Sequence, residues 1–178
     1  MKELALHILD IAENSLRAGA SLVEISIVED SASDRLTVSI VDDGCGMDAE
    51  TISRALDPFF TTKNVRKVGI GLSLFREAAR RAGGDLHIHS EQGKGTSVTA
   101  ELVRSHIDRQ PLGDMSSTVT AMLLQNPAFE MVFCHVIDGN EFRFDTRELR
   151  AVLDDVPLTD PEVLQFIIRL IRERRQLT

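Results

Sequence analysis

The stretch Asp42-Asp43-Gly44-Cys45-Gly46-Met47 follows a run in which Leu36, Val38 and Ile40 alternate with polar or outward-facing positions, the pattern of a half-buried strand. A carboxylate at a strand end, followed by two glycines, lets the backbone approach a ligand with no side chain in the way. Four further motifs accompany it in fixed order. Asp10-Ile11-Ala12-Glu13-Asn14 precedes it, while Pro58-Phe59-Phe60-Thr61-Thr62-Lys63, then Gly69-Ile70-Gly71-Leu72, then Gly93-Lys94-Gly95-Thr96 follow. Each motif alone is compatible with a turn or a helix face. Their series, complete by Thr96, constrains what the chain can be.

With 178 residues and 43% apolar side chains, the chain can hold one domain of ordinary size plus a small appendage. The balance of 20 basic against 28 acidic residues gives a net charge of -8, which repels phosphate backbones and anionic lipid, so neither nucleic acid nor a membrane is expected as a partner. No apolar run reaches bilayer-spanning length, and Met1-Lys2-Glu3-Leu4 does not open a signal peptide, so a cytoplasmic location is expected. Cys45 and Cys134 are too few for a four-thiolate metal site. Cys45, inside the glycine loop, reads as a packing thiol rather than a redox group. The five histidines are scattered. His7 shares a helix face with Asp10 and Asn14 and reads either as a neighbour of phosphates or as a surface residue.

The helical period of Leu4, Ile8, Ile11, Ala12 and Leu16 predicts a helix over 3–18, with Asp10, Asn14 and Arg17 together on its other side. Alternation predicts strands around 23–28 and 36–40, a short helix capped by Asp48 through 56, a longer helix over 69–82 closed by Gly83-Gly84, and strands over 85–90 and 96–102. This order describes an α+β fold, a two-layer sandwich of one sheet with helices on one face. Composition changes near Arg104 to Leu112, and a division into 1–103 and a small α+β unit over 104–178 is expected. That unit reads as a helix over 114–124, strands over 130–137 and 141–144 about Asp138-Gly139-Asn140, a helix over 146–153, and a last helix begun by Asp160-Pro161-Glu162.

The motifs carry chemistry by residue type. The Asn14 amide oxygen suits a hard cation such as magnesium, and Arg17, one turn on, suits phosphate; a solvated polar helix face is the alternative for both. Asp42 only accepts hydrogen bonds, which matches the exocyclic amine of adenine and opposes the carbonyl of guanine; an aspartate capping its own loop is the alternative. Gly69 and Gly71 sit at a helix start, where free amides favour phosphate. Lys63, Arg66 and Lys67 precede them on a segment that reads as a lid over a triphosphate or as a plain solvated loop, with Phe59 and Phe60 as its core anchors.

This series resembles the N box, first glycine box, F box, second glycine box and third glycine box of the Bergerat-fold ATPases. That group takes in gyrase B subunits, Hsp90-type chaperones, sensor histidine kinases and MutL, and the resemblance covers residues 4–103. The F box and second glycine box are most similar to the histidine-kinase branch, while Asn14-Ser15-Leu16-Arg17-Ala18-Gly19-Ala20 looks more like MutL and gyrase. The resemblance implies ATP and Mg2+ as ligands, with Asn14 holding the metal and Asp42 reading adenine. It places Gly69 and Gly71 at the phosphates and Thr96 beside the adenine pocket, with Arg17, Gly44, Gly46, Lys63 and Leu72 as further nucleotide-binding residues. Hydrolytic members usually carry glutamate four residues before the asparagine; here Asp10 holds that position as the catalytic base, one methylene shorter, while Glu13 points elsewhere on the helix. Weak hydrolysis is therefore expected. With no phosphoacceptor helices before the N box, the chain is expected to be a stand-alone ATP-binding protein, similar to anti-sigma factor kinases, that phosphorylates or regulates a separate protein. A non-catalytic nucleotide-dependent switch is the alternative, and residues 104–178 are expected to dock the partner or form a homodimer.

Overall fold

A computed structural model describes residues 2–56 and 68–176. The elements run α1 (Leu4–Arg17), β1 (Leu22–Asp30), β2 (Arg35–Asp42), α2 (Ala49–Ala55), α3 (Val68–Arg81), β3 (Asp85–Glu91), β4 (Gly95–Val103), α4 (Met115–Gln125), β5 (Glu130–Ile137), β6 (Asn140–Asp145), α5 (Thr146–Leu153) and α6 (Pro161–Gln176). The six strands form one sheet in the order β3-β4-β2-β1-β5-β6. All neighbours are antiparallel except β1 and β5, which are parallel. The architecture is the expected α+β sandwich.

Alternation explains which face is covered. Val23, Ile25 and Ile27 on β1, Leu36, Val38 and Ile40 on β2, and Val98, Ala100 and Leu102 on β4 are buried, while Glu24, Thr37, Ser39 and Glu101 on the opposite face are not. The buried set packs with Leu4, Ile8 and Ile11 of α1, Phe75 and Ala79 of α3, and Val119, Met122 and Leu123 of α4 in one hydrophobic core.

Asp48 caps its helix as expected, whereas Asp114, expected inside a helix over 114–124, stands just before it as the cap. Asp48 accepts from the amide of Thr51, and Asp114 accepts from those of Ser116 and Ser117. Helix α1 has no side-chain cap. Its first amides, on Leu4 and Ala5, donate instead to the carbonyls of Pro111 and Leu112 at 3.0 and 2.8 Å.

The boundary expected at residue 103 falls between β4 and α4, and both sheet and core run across it. Strand β5 pairs with β1 from Leu22↔Glu130 to Glu29↔Ile137, and Met131, Phe133, Ile167 and Ile171 belong to the same buried cluster as Ile25 and Val38. Among the described residues no helix is long and apolar enough to cross a membrane.

Candidate functional site

The end of β2 carries Asp42 to the helix-covered face, where it is 9% exposed. Its Oδ2 accepts from Ser15 Oγ at 2.6 Å, and its Oδ1 accepts from the Gly44 amide at 3.0 Å. The loop-capping reading thus describes one oxygen, while the other is held by α1. Each carboxylate oxygen keeps a further lone pair for a ligand donor. Across the ladder Asp42 faces Thr96. That closeness depends on Gly95, at φ +97°, because a Cβ there would overlap the Asp42 carbonyl. Thr96 Oγ1 lies 2.9 Å from Ser90 Oγ, which accepts from the Met47 amide at 2.8 Å and so ties the glycine loop to β4. Asp43 fastens the same loop to the start of β1, accepting from the Ser21 and Leu22 amides at 2.8 and 2.9 Å.

Along α1, Arg17 bridges two neighbours. Its Nη1 donates to Asn14 Oδ1 at 2.6 Å and its Nη2 to Glu13 Oε2 at 2.9 Å. Glu13, expected to turn away from Asn14, meets it through this guanidinium. Asn14 Nδ2 is buried without a hydrogen-bond partner. An unsatisfied buried donor costs free energy in isolation and is a place where a ligand acceptor would be favoured.

Asp10 packs against α3. A Cβ on Gly71 would overlap the Asp10 carboxylate, so any larger residue there requires that side chain or α3 to shift. Burial raises the Asp10 carboxyl above its ordinary value, Arg17 opposes that shift, and Glu13 adds to it.

Part of this set lines a cleft of about 250 Å³, namely Asn14, Ser15, Arg17, Asp42, Gly46 and Thr96 together with an apolar wall of Ile11, Met47, Leu72 and Val98, while Asp10, Gly44 and Gly71 stand outside its lining. Such a mostly apolar slot with one convergent carboxylate suits a flat heteroaromatic ring. The oxygen donors of Asn14, Asp10 and Glu13 are of the type hard cations take. Gly69 lies in the first turn of α3. Lys63, Arg66, Lys67, Phe59, Phe60 and most of the expected lid lie outside the described residues. A larger cavity of about 400 Å³ between the start of α4, β5 and α6 contains none of the motif residues. Chemistry therefore favours the smaller one.

Ser15 and Ser90 had been given no role from sequence, although each orders a motif residue. Ser15 stands next to Asn14 on α1, and its burial at 3% is the signal that only the fold supplies. His7 is neither at a surface nor free: it is 2% exposed, stacked on Phe75 at 5.1 Å, and its Nε2 lies 3.1 Å from Gln110 Oε1. Burial pushes its imidazole below the ordinary value.

Residues 2–106 match the family described as histidine kinase-, DNA gyrase B-, and HSP90-like ATPase. The chain is 31% identical over 108 residues to the sensor kinase CckA of Brucella abortus, covering 52% of this chain and 11% of that protein. It is 26% identical over 106 residues to the sensor histidine kinase ZraS of Escherichia coli, covering 60% and 23%. It is 30% identical over 95 residues to sporulation kinase D of Bacillus subtilis, covering 53% and 19%. The chain thus spans less than a quarter of the length of each of these relatives. Among solved structures, the N-terminal domain of a DNA repair protein superposes with a TM-score of 0.53 at 16% identity, over 80% of this chain and 52% of that one, a likeness of fold.

Proposed function

The chain belongs to the histidine kinase-, DNA gyrase B-, and HSP90-like ATPase family, and we propose that it binds ATP with Mg2+ in the α1–β2–β4 cleft and uses the nucleotide to phosphorylate or regulate a separate protein, hydrolysing it weakly on its own. The observation that carries the reading is the Asp42 carboxylate, nearly buried, oriented by Ser15 and Gly44, and opposite Thr96 on the wall of an apolar slot. A carboxylate so fixed accepts from the amine of adenine and meets the guanine carbonyl as a repulsive partner.

When bound, magnesium would neutralise phosphate charge, and Asn14 would hold it through Oδ1. That role asks Arg17, now on the same oxygen, to turn toward the phosphates. Asp10 would accept the proton of an attacking water. Its shorter reach, together with its packing against Gly71, supports slow turnover. Gly44, Gly46, Gly69, Gly71, Leu72 and Lys63 complete the proposed nucleotide contacts, and residues 104–178 the proposed contact with a partner or second copy. The kinase relatives support phosphoryl transfer as the reaction class.

Calorimetric titration with ATP, ADP and GTP, with and without magnesium, tests the binding claim. Adenine nucleotides should bind and GTP should not. Transfer of labelled γ-phosphate to a captured protein tests the kinase claim, and equal affinity for GTP would remove the base-recognition argument.

A further inference from the structure

The outer edge of β6 is the feature that the nucleotide reading does not use. Among the described residues no strand pairs with it, and Asn140, Glu141 and Arg143 are exposed. The hairpin closes on Asp138 and Gly139, both at positive φ (48° and 84°), with Ile137 opposite Asn140. In a hairpin with a two-residue loop the closing pair exchanges its hydrogen bonds, and the ladder alternates from there. Asn140, Phe142 and Phe144 therefore turn their amides and carbonyls toward β5. Glu141 and Arg143 turn theirs toward the open edge.

We propose that this edge is the homodimer interface, with β6 pairing antiparallel to β6 of a second copy about a two-fold axis at Phe142. The charges select that register. Centred on Phe142, Glu141 of each copy lies opposite Arg143 of the other, twice, and the two Phe142 side chains meet in the close, non-hydrogen-bonded pair. Centring on Glu141 would set two carboxylates against each other, and centring on Arg143 two guanidinium groups. Both registers are repulsive. Charges on a free edge often serve to prevent pairing, but here the two signs alternate so that the symmetric pairing is the complementary one. Arg143 is held by its own chain, donating to Asp145 Oδ2 at 2.6 Å and Glu148 Oε1 at 2.5 Å, yet its side chain remains 41% exposed and a guanidinium has five N–H donors, which leaves donors for Glu141 of the second copy. The contact is isologous, as closed two-fold symmetry requires, and would join two six-stranded sheets into one. Its core is short, with about four ladder hydrogen bonds, so the dimer should dissociate on dilution.

This inference extends the assignment of residues 104–178 to partner contact and is independent of nucleotide chemistry. The test is light scattering and sedimentation of the full chain over a concentration series, with nucleotide titration run in parallel on each variant. The wild-type chain should pass from monomer mass to twice that mass as concentration rises. Glu141→Pro removes an edge amide that β5 does not use, so it should abolish the dimer while leaving the fold intact. Glu141→Arg changes an exposed side chain whose Oε1 accepts from Cys134 Sγ at 3.5 Å, and should weaken self-association at least tenfold, by setting arginine against arginine. Adding Arg143→Glu and Glu148→Arg to Glu141→Arg exchanges the two signs while giving the new carboxylate at 143 a cation of its own chain in place of Glu148, and should restore it. A wild-type chain that stays monomeric at millimolar concentration overturns the proposal. So does a dimer that Glu141→Arg leaves unchanged, or a charge exchange that fails to recover association in a folded chain.

Discussion

Ser15 Oγ donates to Asp42 Oδ2 at 2.6 Å across 27 residues of sequence, so helix α1 sets the direction in which the β2 carboxylate presents its free lone pairs. Both groups are buried, at 3% and 9% exposure, and neither reaches water freely. Orientation by a buried hydroxyl costs little while the pair is intact and much once one member is removed.

Ser15→Ala should therefore reduce ATP affinity without abolishing it, and should lower unfolding stability by about 1–3 kcal/mol for the carboxylate oxygen left unpaired. Asp42→Ala should lower ATP affinity by about tenfold or more, since a charged hydrogen bond to the base contributes roughly 1.5–3 kcal/mol. Calorimetry reads both. Wild-type affinity in Asp42→Ala would sink the assignment of base recognition to this residue.

Asn14 lends itself to a metal-specific test because Arg17 occupies its oxygen at 2.6 Å. Asn14→Ala should weaken ATP binding in magnesium and leave the magnesium-free titration close to wild type. An identical magnesium response in both proteins would assign the metal elsewhere.

The contact between Asp10 and Gly71 predicts a coupled pair. Gly71→Ala should destabilise the chain, since its methyl group overlaps the Asp10 carboxylate, which must leave its present position, or α3 must shift. Asp10→Ala should recover part of that loss, giving a favourable coupling in a double-mutant cycle read by denaturant unfolding. Simple additivity of the two losses would mean that the residues do not touch.

Two aspartates should respond to pH with opposite sign. Burial raises Asp10 above its ordinary 3.8, so its contribution to stability is present in full below that value and is lost as pH rises through the folded pKa. Asp145 is lowered to about 2, chiefly by the hydrogen bond from Arg147, so its contribution is present above 3.8 and is lost as pH falls toward 2. Asp10→Asn should stabilise the protein at neutral pH and leave its acid unfolding in place. Asp145→Asn should destabilise it at neutral pH and flatten the acid limb between about 4 and 2. Melting temperatures across that range check both signs.

Much of this architecture was legible in local pattern. The period of Leu4, Ile8 and Ile11, the alternation on β1 and β2, and the caps at Asp48 and Asp160 each act within a few residues, and the elements lie within a residue or two of expectation. What pattern could not supply was pairing over distance. Nothing in the run 130–137 says that it joins β1 rather than starting a sheet of its own, because a β-rich hairpin reads the same in either place. The same limit hid Ser15, whose partner lies 27 residues away, and His7, whose place beside Phe75 depends on how α1 meets α3. Motif order located the cleft, and tertiary contacts determined which neighbours orient it.

That continuity bears on truncation. A chain ending at Arg104 keeps all five motifs but loses β5, which pairs with β1 over eight registered positions from Leu22 to Glu29. It also loses the Pro111 and Leu112 carbonyls that satisfy the first amides of α1, and Met131, Phe133, Val119 and Met122 from the shared core. Burial of each such side chain is worth about 1.5–3 kcal/mol, so their joint loss, about 6–12 kcal/mol, is comparable to the roughly 5–15 kcal/mol by which whole domains are stable even before the exposed β1 edge is added. We expect the truncated chain to be unfolded or aggregated, with no cooperative melt and no ATP binding by calorimetry. A soluble fragment that melts cooperatively and binds ATP at wild-type affinity would show instead that residues 104–178 are a separable unit.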